Sequence, residues 1–389
     1  MKLESNRAGT IINTTTGYRA FVPAKLPPSP EINIDSEMQK LLSLADRKLG
    51  RLDGITQILP NPELFVAMYV KKEAVLSAQI EGTQASLVDV LNIPTEDMAE
   101  DYSQNDVKEV VNYVKAMYWG MEKLNTLPLS LRLIREIHKV LLKDVRGANK
   151  NPGEFRKTQN WIGPQGCTLN TATFVPPTVD EMEKAMGDLE QFIYEEDSIP
   201  ALIKIALIHA QFETIHPFLD GNGRMGRLLI TFWLCQQEIL SEPLLYLSYY
   251  FKQNRTEYYD RLMSVRIKGD WEGWIKFFLK GVADVSDEAT ESAKNIIALR
   301  THYSALLFEK DKGNGNYAAL LNHLFENPIV TKKSISESLE ISLPTAGTIV
   351  DLFCDMGILK DVTPDKKRYK VYEFKEYINI LEKGTEIIH

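Results

Sequence analysis

The chain has 389 residues, of which 44% are hydrophobic and 25% are charged, and its net charge is −8. This length predicts two or three domains, and this composition is typical of a globular protein with a sizeable core. The acidic balance argues against a protein that coats nucleic acid without sequence preference. No apolar run approaches the roughly 20 residues of a membrane span, and the first residues contain no apolar signal region. We therefore expect a multidomain protein without a membrane anchor.

The cysteine content bears on the compartment. Three cysteines lie far apart and without metal-ligand spacing, namely Cys167, Cys235 and Cys354. An odd and sparse set of this kind favours reduced thiols, so we expect a cytoplasmic location.

Residues 1–105 are predicted to form an N-terminal region with an arm and helices. The prolines of GYRAFVPAKLPPSP (17–30) disfavour helix, so this stretch is predicted to be extended. A helix is predicted at about 62–82, because Asn61 can cap it, Pro62 suits its first turn and Gly82 suits its end.

Residues 106–300 are predicted to form a helical core with one main interruption. Apolar periodicity indicates helices at about 107–124, 130–142, 179–195, 200–213, 228–237 and 271–294. Between them, β-forming residues flank a Gly-Pro-Gln-Gly turn at about 157–177, which predicts a β-hairpin flap.

Residues 310–389 are predicted to form a separate small domain after the linker DKGNGN. Three short helices are predicted at 317–325, 331–339 and 343–356. They are followed by KDVTPDKKRYKVYEF, which has the pattern of a two-stranded wing, so a winged helix-turn-helix is predicted. The predicted fold class is therefore mainly α: a helical core with a β-hairpin flap, preceded by an N-terminal helical region and followed by a small winged helix-turn-helix domain.

The densest chemistry lies in HPFLDGNGRMGR, residues 216–227, between two predicted helices. The Gly-Asn-Gly segment lets the backbone turn its N–H groups toward an anion at a helix N-terminus. Asp220 offers a hard oxygen for Mg²⁺, while Arg224 and Arg227 lie three apart and can face one polyphosphate. His216 is largely neutral near pH 7 and can accept a proton. The segment therefore has the groups needed for phosphate-transfer chemistry.

This string resembles the signature of the Fic (Fido) family, H-x-F-x-[DE]-G-N-G-R-x-x-R, at every fixed position. The resemblance implies an adenylyltransferase, in which a protein Ser, Thr or Tyr hydroxyl attacks the α-phosphorus of ATP and pyrophosphate leaves. It implies that His216 is the base and that Asp220 holds Mg²⁺. The implied ATP and phosphate contacts are Gly221, Asn222, Gly223, Arg224 for the β-phosphate, Gly226, and Arg227 for the γ-phosphate. Phe218 would anchor the loop in the core.

The resemblance extends to other segments, among them LRLIREIHKVLL, GEFRKTQNWIG and YYDRLMSVRIKGDWEGWIKFFL. It implies that the flap holds an extended segment of the target protein, which an exposed strand edge can do through main-chain hydrogen bonds. It also implies that Tyr259 packs against adenine, with an ordinary core aromatic as the alternative. His138 is interpreted as a packed core histidine. A homodimer is an expectation from relatives of this layout.

A second match, SAQIEG at residues 77–82, resembles the inhibitory motif [S/T]-x-x-x-E-[G/N] of the family. Ser77 and Glu81 are four apart, so they share a helix face. The resemblance implies that Glu81 pairs with Arg227 and so takes the partner of the γ-phosphate. We expect an enzyme that inhibits itself.

Two alternatives stay open at this stage. One is a DNA-binding regulator that uses the Fic core as a nucleotide sensor, although the predicted recognition helix LPTAGTIVDLFCDM carries no Lys or Arg. The C-terminal domain is as well suited to protein contact as to DNA. The other is a Fic enzyme that removes AMP or transfers a different phosphate-containing group. The intact His216 and Asp220 favour AMP transfer over a sensor.

Overall fold

A computed structural model describes residues 2–56, 62–92, 105–164, 166–310 and 315–386. The helices are α1 (Ser36–Thr56), α2 (Pro62–Ile80), α3 (Leu87–Leu91), α4 (Asn105–Leu124), α5 (Leu131–Leu141), α6 (Val179–Tyr194), α7 (Ala201–Ile215), α8 (Asn222–Gln236), α9 (Ser248–Gln253), α10 (Arg255–Lys268), α11 (Trp271–Lys310), α12 (Asn316–Glu326), α13 (Lys332–Ser338), α14 (Leu343–Asp355) and α15 (Lys375–Glu382). The strands are β1 (Gly9–Asn13), β2 (Arg19–Pro23), β3 (Ile329–Thr331), β4 (Lys360–Asp361) and β5 (Val371–Glu373). The predicted mainly helical fold class is confirmed.

Helix α7 is the centre of the core, because nearly every side chain along it is buried. It packs against α8, α6 and α11, and α2 lies across α4 and α9. The sequence of α7, ALIKIALIHAQFETI, has no polar stripe, which is typical of a helix enclosed by others. This enclosure holds the ends of α7 and α8 in fixed positions, and the segment between them is 216–221.

The N-terminal arm is extended as predicted, but it also forms a hairpin that the sequence analysis missed. Strands β1 and β2 pair antiparallel, with Ile11 opposite Phe21. The Phe21 N–H donates to the Val175 carbonyl of the flap at 3.0 Å. Arg7 secures the arm by donating to both carboxylate oxygens of Glu272. The arm therefore supports the flap from outside.

The predicted flap hairpin is wrong in its extent. Within the described residues of 157–177, the only antiparallel pairing is a single bridge between Ile162 and Phe174. Glycine and proline interrupt the ladder, and the Thr168 N–H donates to the Thr171 hydroxyl instead of to a facing strand. The turn closes with the Cys167 N–H donating to the Pro164 carbonyl.

Helix α11 also differs from its prediction, since it continues to Lys310 instead of ending near 294. It packs along α1 and reaches α12 and α15, so apolar residues such as Ile296, Leu299 and Tyr303 are buried beyond the predicted end. The predicted linker begins where α11 ends, and residues 311–314 lie outside the described residues, as does the predicted cap Asn61.

Within its described residues, the C-terminal region contains the four helices α12, α13, α14 and α15 and a three-stranded antiparallel sheet in the order β3-β5-β4. Helices α12, α13 and α14 begin and end within two residues of their predicted bounds. These three helices and the sheet are the elements that a winged helix-turn-helix requires, and that fold stays a prediction. Helix α15 packs back on α2 and α11, so this region contacts the helical core.

Across the described ranges, none of the helices combines the length and the apolar character that crossing a membrane requires. The cysteines at 167, 235 and 354 are free.

Candidate active site

The loop between α7 and α8 has a fixed shape. It begins at His216, whose φ of 50° ends α7, and it closes at Gly221, whose φ of 76° lies in the left-handed region that favours glycine. The Asn222 side chain spans the loop, because its Oδ1 accepts the Phe218 N–H and its Nδ2 donates to the Phe218 carbonyl, both at 2.8 Å. The Asn222 amide therefore faces inward, and its contribution to an anion site is limited to its backbone.

His216 is held from the side of the flap. Arg156 Nε and Asn160 Nδ2 both donate to the His216 carbonyl at 3.1 Å. The imidazole Nδ1 is buried and has no hydrogen-bond partner within the described residues. Burial lowers the pKa of His216 to about 3, and the positive charges of Arg266 and Arg156 act in the same direction. The ring is therefore neutral at pH 7 and free to take a proton.

The N-terminus of α8 is suited to an anion, since no side chain of the described residues caps it. Its first N–H groups and the helix dipole point into the space beside the loop. That space is taken by the Glu81 side chain: a Cβ at Gly223 would lie 2.2 Å from Glu81 Oε1. A carboxylate of the protein thus covers the first turn of α8.

Asp220 presents one oxygen beside the same loop. Its Oδ1 accepts the Gly221 N–H at 2.6 Å and faces Arg224 Nη2 at 3.4 Å. Its Oδ2 lies beside Gly147, where a Cβ would approach it to 2.9 Å. The described part of the chain contains no cluster of three His, Cys, Asp or Glu side chains for a metal. Because Mg²⁺ at phosphate sites uses one or two carboxylates plus phosphate oxygens and water, Asp220 fits this role.

Phe218 and His138 form the floor of the loop. Their rings stack with centroids 3.7 Å apart, and both side chains are buried. His138 Nδ1 accepts the Gly153 N–H, so Nε2 carries the proton and donates to the Asp220 carbonyl at 2.9 Å. Burial lowers the pKa of His138 to about 4. The interpretation of His138 as a core histidine holds, and it also fixes the backbone of Asp220.

The two loop arginines are both buried, and each has carboxylate partners. Arg224 Nη1 lies 3.2 Å from Glu109 Oε2, and Arg227 Nη2 donates to Glu81 Oε1 at 2.7 Å. Arg227 also donates from Nε to the Ser77 hydroxyl at 2.8 Å and from Nη2 to the Ser77 carbonyl at 3.0 Å. The structure therefore contains the predicted pairing of the 77–82 segment with Arg227.

The charges of this pair stabilise each other. Burial alone would raise the pKa of Glu81, but the charge and the hydrogen bond of Arg227, together with the nearby Arg224 and His216, outweigh burial and the pKa is lowered. Burial opposes the charge of Arg227, yet Glu81 raises the pKa of that guanidinium. Because the folded pKa of Glu81 is depressed, the ion pair is present above the ordinary pKa of 4.5 and is lost only as pH falls through the lowered value.

Two other predicted contacts have different surroundings. Gly226 lies where α7 and α8 touch: its carbonyl accepts from His209 Nδ1 at 3.0 Å, and a Cβ would lie 2.5 Å from Glu213 Oε1. Close helix packing explains this glycine, and its phosphate contact stays a prediction. Tyr259 is 39% exposed and lies under the Arg255 guanidinium. Partial burial and then the charge of Glu81 raise the pKa of Tyr259, and the packing of this ring against adenine stays a prediction.

Several residues that shape the site were missed by the sequence analysis: Arg156, Asn160, Glu109, Glu213 and Arg266. The buried Arg266 donates to the Glu213 carbonyl at the end of α7 and lies 4.1 Å from the Phe174 ring centroid of the flap. It thereby ties the flap to the end of the helix that leads to His216. Three of them, Arg156, Asn160 and Arg266, lie in segments whose sequence resembles the family, and this resemblance was the signal that could have identified them.

Glu213 provides a test of the electrostatics around Arg227. Burial raises the pKa of Glu213 to about 7, although Arg227 opposes this. The stability contributed by its proton is therefore full below pH 4.5 and is lost as pH rises to 7. The side chain of Glu213→Gln does not titrate. Compared with that variant, the free energy of unfolding of the wild-type chain is expected to fall by up to about 3 kcal/mol between pH 4.5 and pH 7. Urea unfolding of both proteins at pH 5 and pH 8 measures the difference, and parallel pH curves would contradict it.

Comparisons with known proteins match the chain to one family. Residues 39–122 match the model of the Fic/DOC family N-terminal region, and residues 128–234 match the model of the Fic/DOC family. A solved structure of a Fic family protein from Desulfovibrio desulfuricans superposes with a TM-score of 0.54 at 20% identity, covering 88% of this chain and 97% of that one. This likeness shows the fold.

Curated relatives are named protein adenylyltransferase Fic. That of Drosophila grimshawi is 27% identical over 266 residues, covering 66% of this chain and 50% of the relative. That of Drosophila melanogaster is 25% identical over 300 residues, covering 74% of this chain and 56% of the relative. The chain thus spans about half the length of the curated relatives it matches.

Proposed function

We propose that this chain, which belongs to the Fic/DOC family, transfers AMP from ATP to a protein hydroxyl. We propose also that Glu81 holds the enzyme inactive. The observation that carries this proposal is the convergence on one loop of a neutral histidine, an uncapped helix N-terminus, a carboxylate and two buried arginines. Each of these groups has a role in phosphoryl transfer, and together they leave His216 as the base.

The chemistry follows from the positions of these groups. The hydroxyl oxygen attacks the α-phosphorus while His216 takes the hydroxyl proton. The bond from the α-phosphorus to the oxygen bridging to the β-phosphate breaks, and pyrophosphate leaves with the electron pair. The N-terminus of α8 and the two arginines stabilise negative charge on the phosphates. Mg²⁺, held by Asp220 and by phosphate oxygens, would neutralise part of the same charge.

The pKa of His216 is expected to rise when nucleotide binds. The pKa of about 3 belongs to a ring that is buried beside two arginines. A polyphosphate placed against the loop brings negative charge near the ring, which raises the pKa of the imidazole. Its pKa thus moves toward the range that suits a general base at neutral pH.

Inhibition follows from the position of Glu81. Its carboxylate occupies the space over Gly223 and takes the guanidinium of Arg227. A γ-phosphate would need the same guanidinium, so ATP is displaced from the pose in which its α-phosphorus faces the hydroxyl. Loss of alignment by about 1 Å lowers the rate by roughly 10²-fold, so one side chain suffices.

The radioactive label distinguishes this reaction from other group transfers. Protein incubated with Mg²⁺ and [α-³²P]ATP, alone or with a cell lysate, is expected to become labelled when Glu81 is replaced by glycine. The same protein with [γ-³²P]ATP is expected to stay unlabelled, because the γ-phosphorus leaves in pyrophosphate. Label from [γ-³²P]ATP would indicate phosphate transfer and would overturn the proposal.

The C-terminal tail supports the inhibitory segment. Gln79 Nε2 donates to the carbonyls of Ala85 and Thr385, both at 3.0 Å. Lys252 Nζ donates to the Gly384 and Glu386 carbonyls. The tail therefore fixes the end of α2 two residues before Glu81.

Deletion of residues 383–389 is expected to raise AMP transfer, because the end of α2 loses this support while every group of the loop is kept. The increase should be smaller than that of Glu81→Gly, since Arg227 still has its carboxylate partner. Labelling by [α-³²P]ATP compares the two proteins. As a control, Lys333→Ala alters an exposed lysine of α13 and should leave labelling unchanged. Unchanged labelling after the deletion would show that the tail does not support inhibition.

A further inference from the structure

A buried carboxylate on α4 joins the two halves of the site. Glu109 is 1% exposed, and its Oε2 accepts from Arg224 Nη1 at 3.2 Å and from the Thr83 hydroxyl at 3.1 Å. The half-exposed Arg146 approaches the same carboxylate from outside, at 3.2 Å from Oε1. Glu109 lies outside both sequence motifs, yet it contacts a loop arginine and the turn that follows Glu81.

We propose that Glu109 is a positioning residue with two roles: it orients Arg224 toward the nucleotide site, and through Thr83 it anchors the inhibitory turn. The proposal rests on the proposed function, since it assigns Glu109 to the site that would bind ATP.

The first role follows from the burial of Arg224. Its guanidinium is about 1% exposed, so water cannot orient it, and its Nε has no hydrogen-bond partner within the described residues. Glu109 faces Nη1 and Asp220 faces Nη2, so two carboxylates from different elements set the plane of the group. Without Glu109, the guanidinium keeps Asp220 as its carboxylate partner and turns toward the oxygens proposed for Mg²⁺. A buried guanidinium depends on such partners for its direction.

The second role follows from the position of Thr83. It is buried directly after Gly82, and its N–H donates to the Ala78 carbonyl, which closes the turn after α2. The segment that carries Glu81 is therefore bound to both loop arginines, to Arg227 through Glu81 and to Arg224 through Glu109. Loss of the Thr83 bond would therefore loosen this segment, while Arg224 keeps its own bond to Glu109.

A neighbouring acid provides a matched comparison. Asp106, also on α4, accepts the Gln84 N–H at 2.7 Å. It holds the same turn, but within the described residues the side-chain hydrogen bonds of Arg224 go to Glu109 and Asp220 and not to Asp106. Asp106→Asn and Thr83→Val therefore loosen the turn and leave the orientation of Arg224 intact, whereas Glu109→Gln changes both.

The first experiment uses proteins in which Glu81→Gly has removed the inhibitory carboxylate. Calorimetric binding of Mg²⁺ with α,β-methylene-ATP is measured for this parent and after adding Glu109→Gln or Thr83→Val. Glu109→Gln is expected to weaken binding about tenfold and to raise KM for ATP more than it lowers kcat, as for loss of a buried charged hydrogen bond. Thr83→Val should bind within twofold of the parent. Equal binding by all three proteins would overturn the positioning role.

The second experiment keeps Glu81 and tests the anchor. Thr83→Val and Asp106→Asn are each expected to raise basal labelling from [α-³²P]ATP several-fold, and no increase in either would overturn the anchoring role. Circular dichroism and thermal unfolding check that Glu109→Gln is folded. If it is not, Glu109→Asp is used instead, which keeps the charge but is too short to reach Arg224, and weaker binding is expected again.

Binding of the analogue does not require transfer, so a parent that binds the analogue without transferring AMP contradicts the proposed function alone. A parent that binds no nucleotide contradicts both.

Discussion

Replacing Glu81 with glycine is expected to raise AMP transfer by about 10²-fold, because the substitution frees the Arg227 guanidinium and empties the space over Gly223. The residue follows the last residue of α2, so the glycine does not interrupt the helix. Initial rates of label incorporation from [α-³²P]ATP measure the effect.

Two further variants separate charge from shape. Glu81→Gln keeps the size of the side chain but loses its charge, and an intermediate rate is expected. Glu63→Gly removes an exposed carboxylate from the first turn of the same helix and should leave the rate unchanged. Equal rates in wild type and Glu81→Gly, with His216→Ala inactive, would rule out inhibition by Glu81 while keeping the catalyst.

Replacing His216 with alanine in the Glu81→Gly protein is expected to lower the rate of AMP transfer by roughly 10²- to 10⁴-fold, the range that a general base contributes. Nucleotide affinity should change little, because the phosphate contacts come from α8 and the arginines. Single-turnover rates and calorimetric binding of Mg²⁺ with α,β-methylene-ATP test the two halves of this expectation.

The control for His216 is His302→Ala, which alters an exposed histidine on α11 and should leave both values unchanged. A His216→Ala protein that keeps its rate would contradict the assignment of the base. One that loses affinity in parallel with rate would indicate that the loop itself has collapsed.

The site residues that could be predicted from the sequence are those that lie within short continuous motifs. HPFLDGNGRMGR fixes residue types and spacing within one loop, so His216, Asp220 and the arginines could be identified together. Ser77 and Glu81 were found for the same reason, and the structure places them against Arg227. The helices were predicted where an apolar stripe or a cap marks their bounds, as at Pro62.

The rest depends on contacts between segments distant in the chain. In the sequence, Glu109 looks like any other acidic residue of an amphipathic helix, because its contact with Arg224 depends on how α4 packs in the fold. The length of α11 was underestimated because its C-terminal part packs against two separate elements, α12 and α15. Its apolar residues after 294 therefore do not follow the regular spacing that one continuous partner would produce. The flap was predicted as a hairpin from its β-forming residues, but hydrogen bonds of Thr168 and Thr171 compete with the ladder. The hairpin of the N-terminal arm is paired with the flap, which no local pattern indicates.

The most direct test of a self-inhibited AMP transferase is the intact mass of wild-type and Glu81→Gly proteins after incubation with Mg²⁺ and ATP. We predict that the Glu81→Gly protein gains the mass of one or more AMP groups while the wild-type protein stays largely unmodified. A gain of phosphate in place of AMP, or equal gains of AMP in both proteins, would contradict the account.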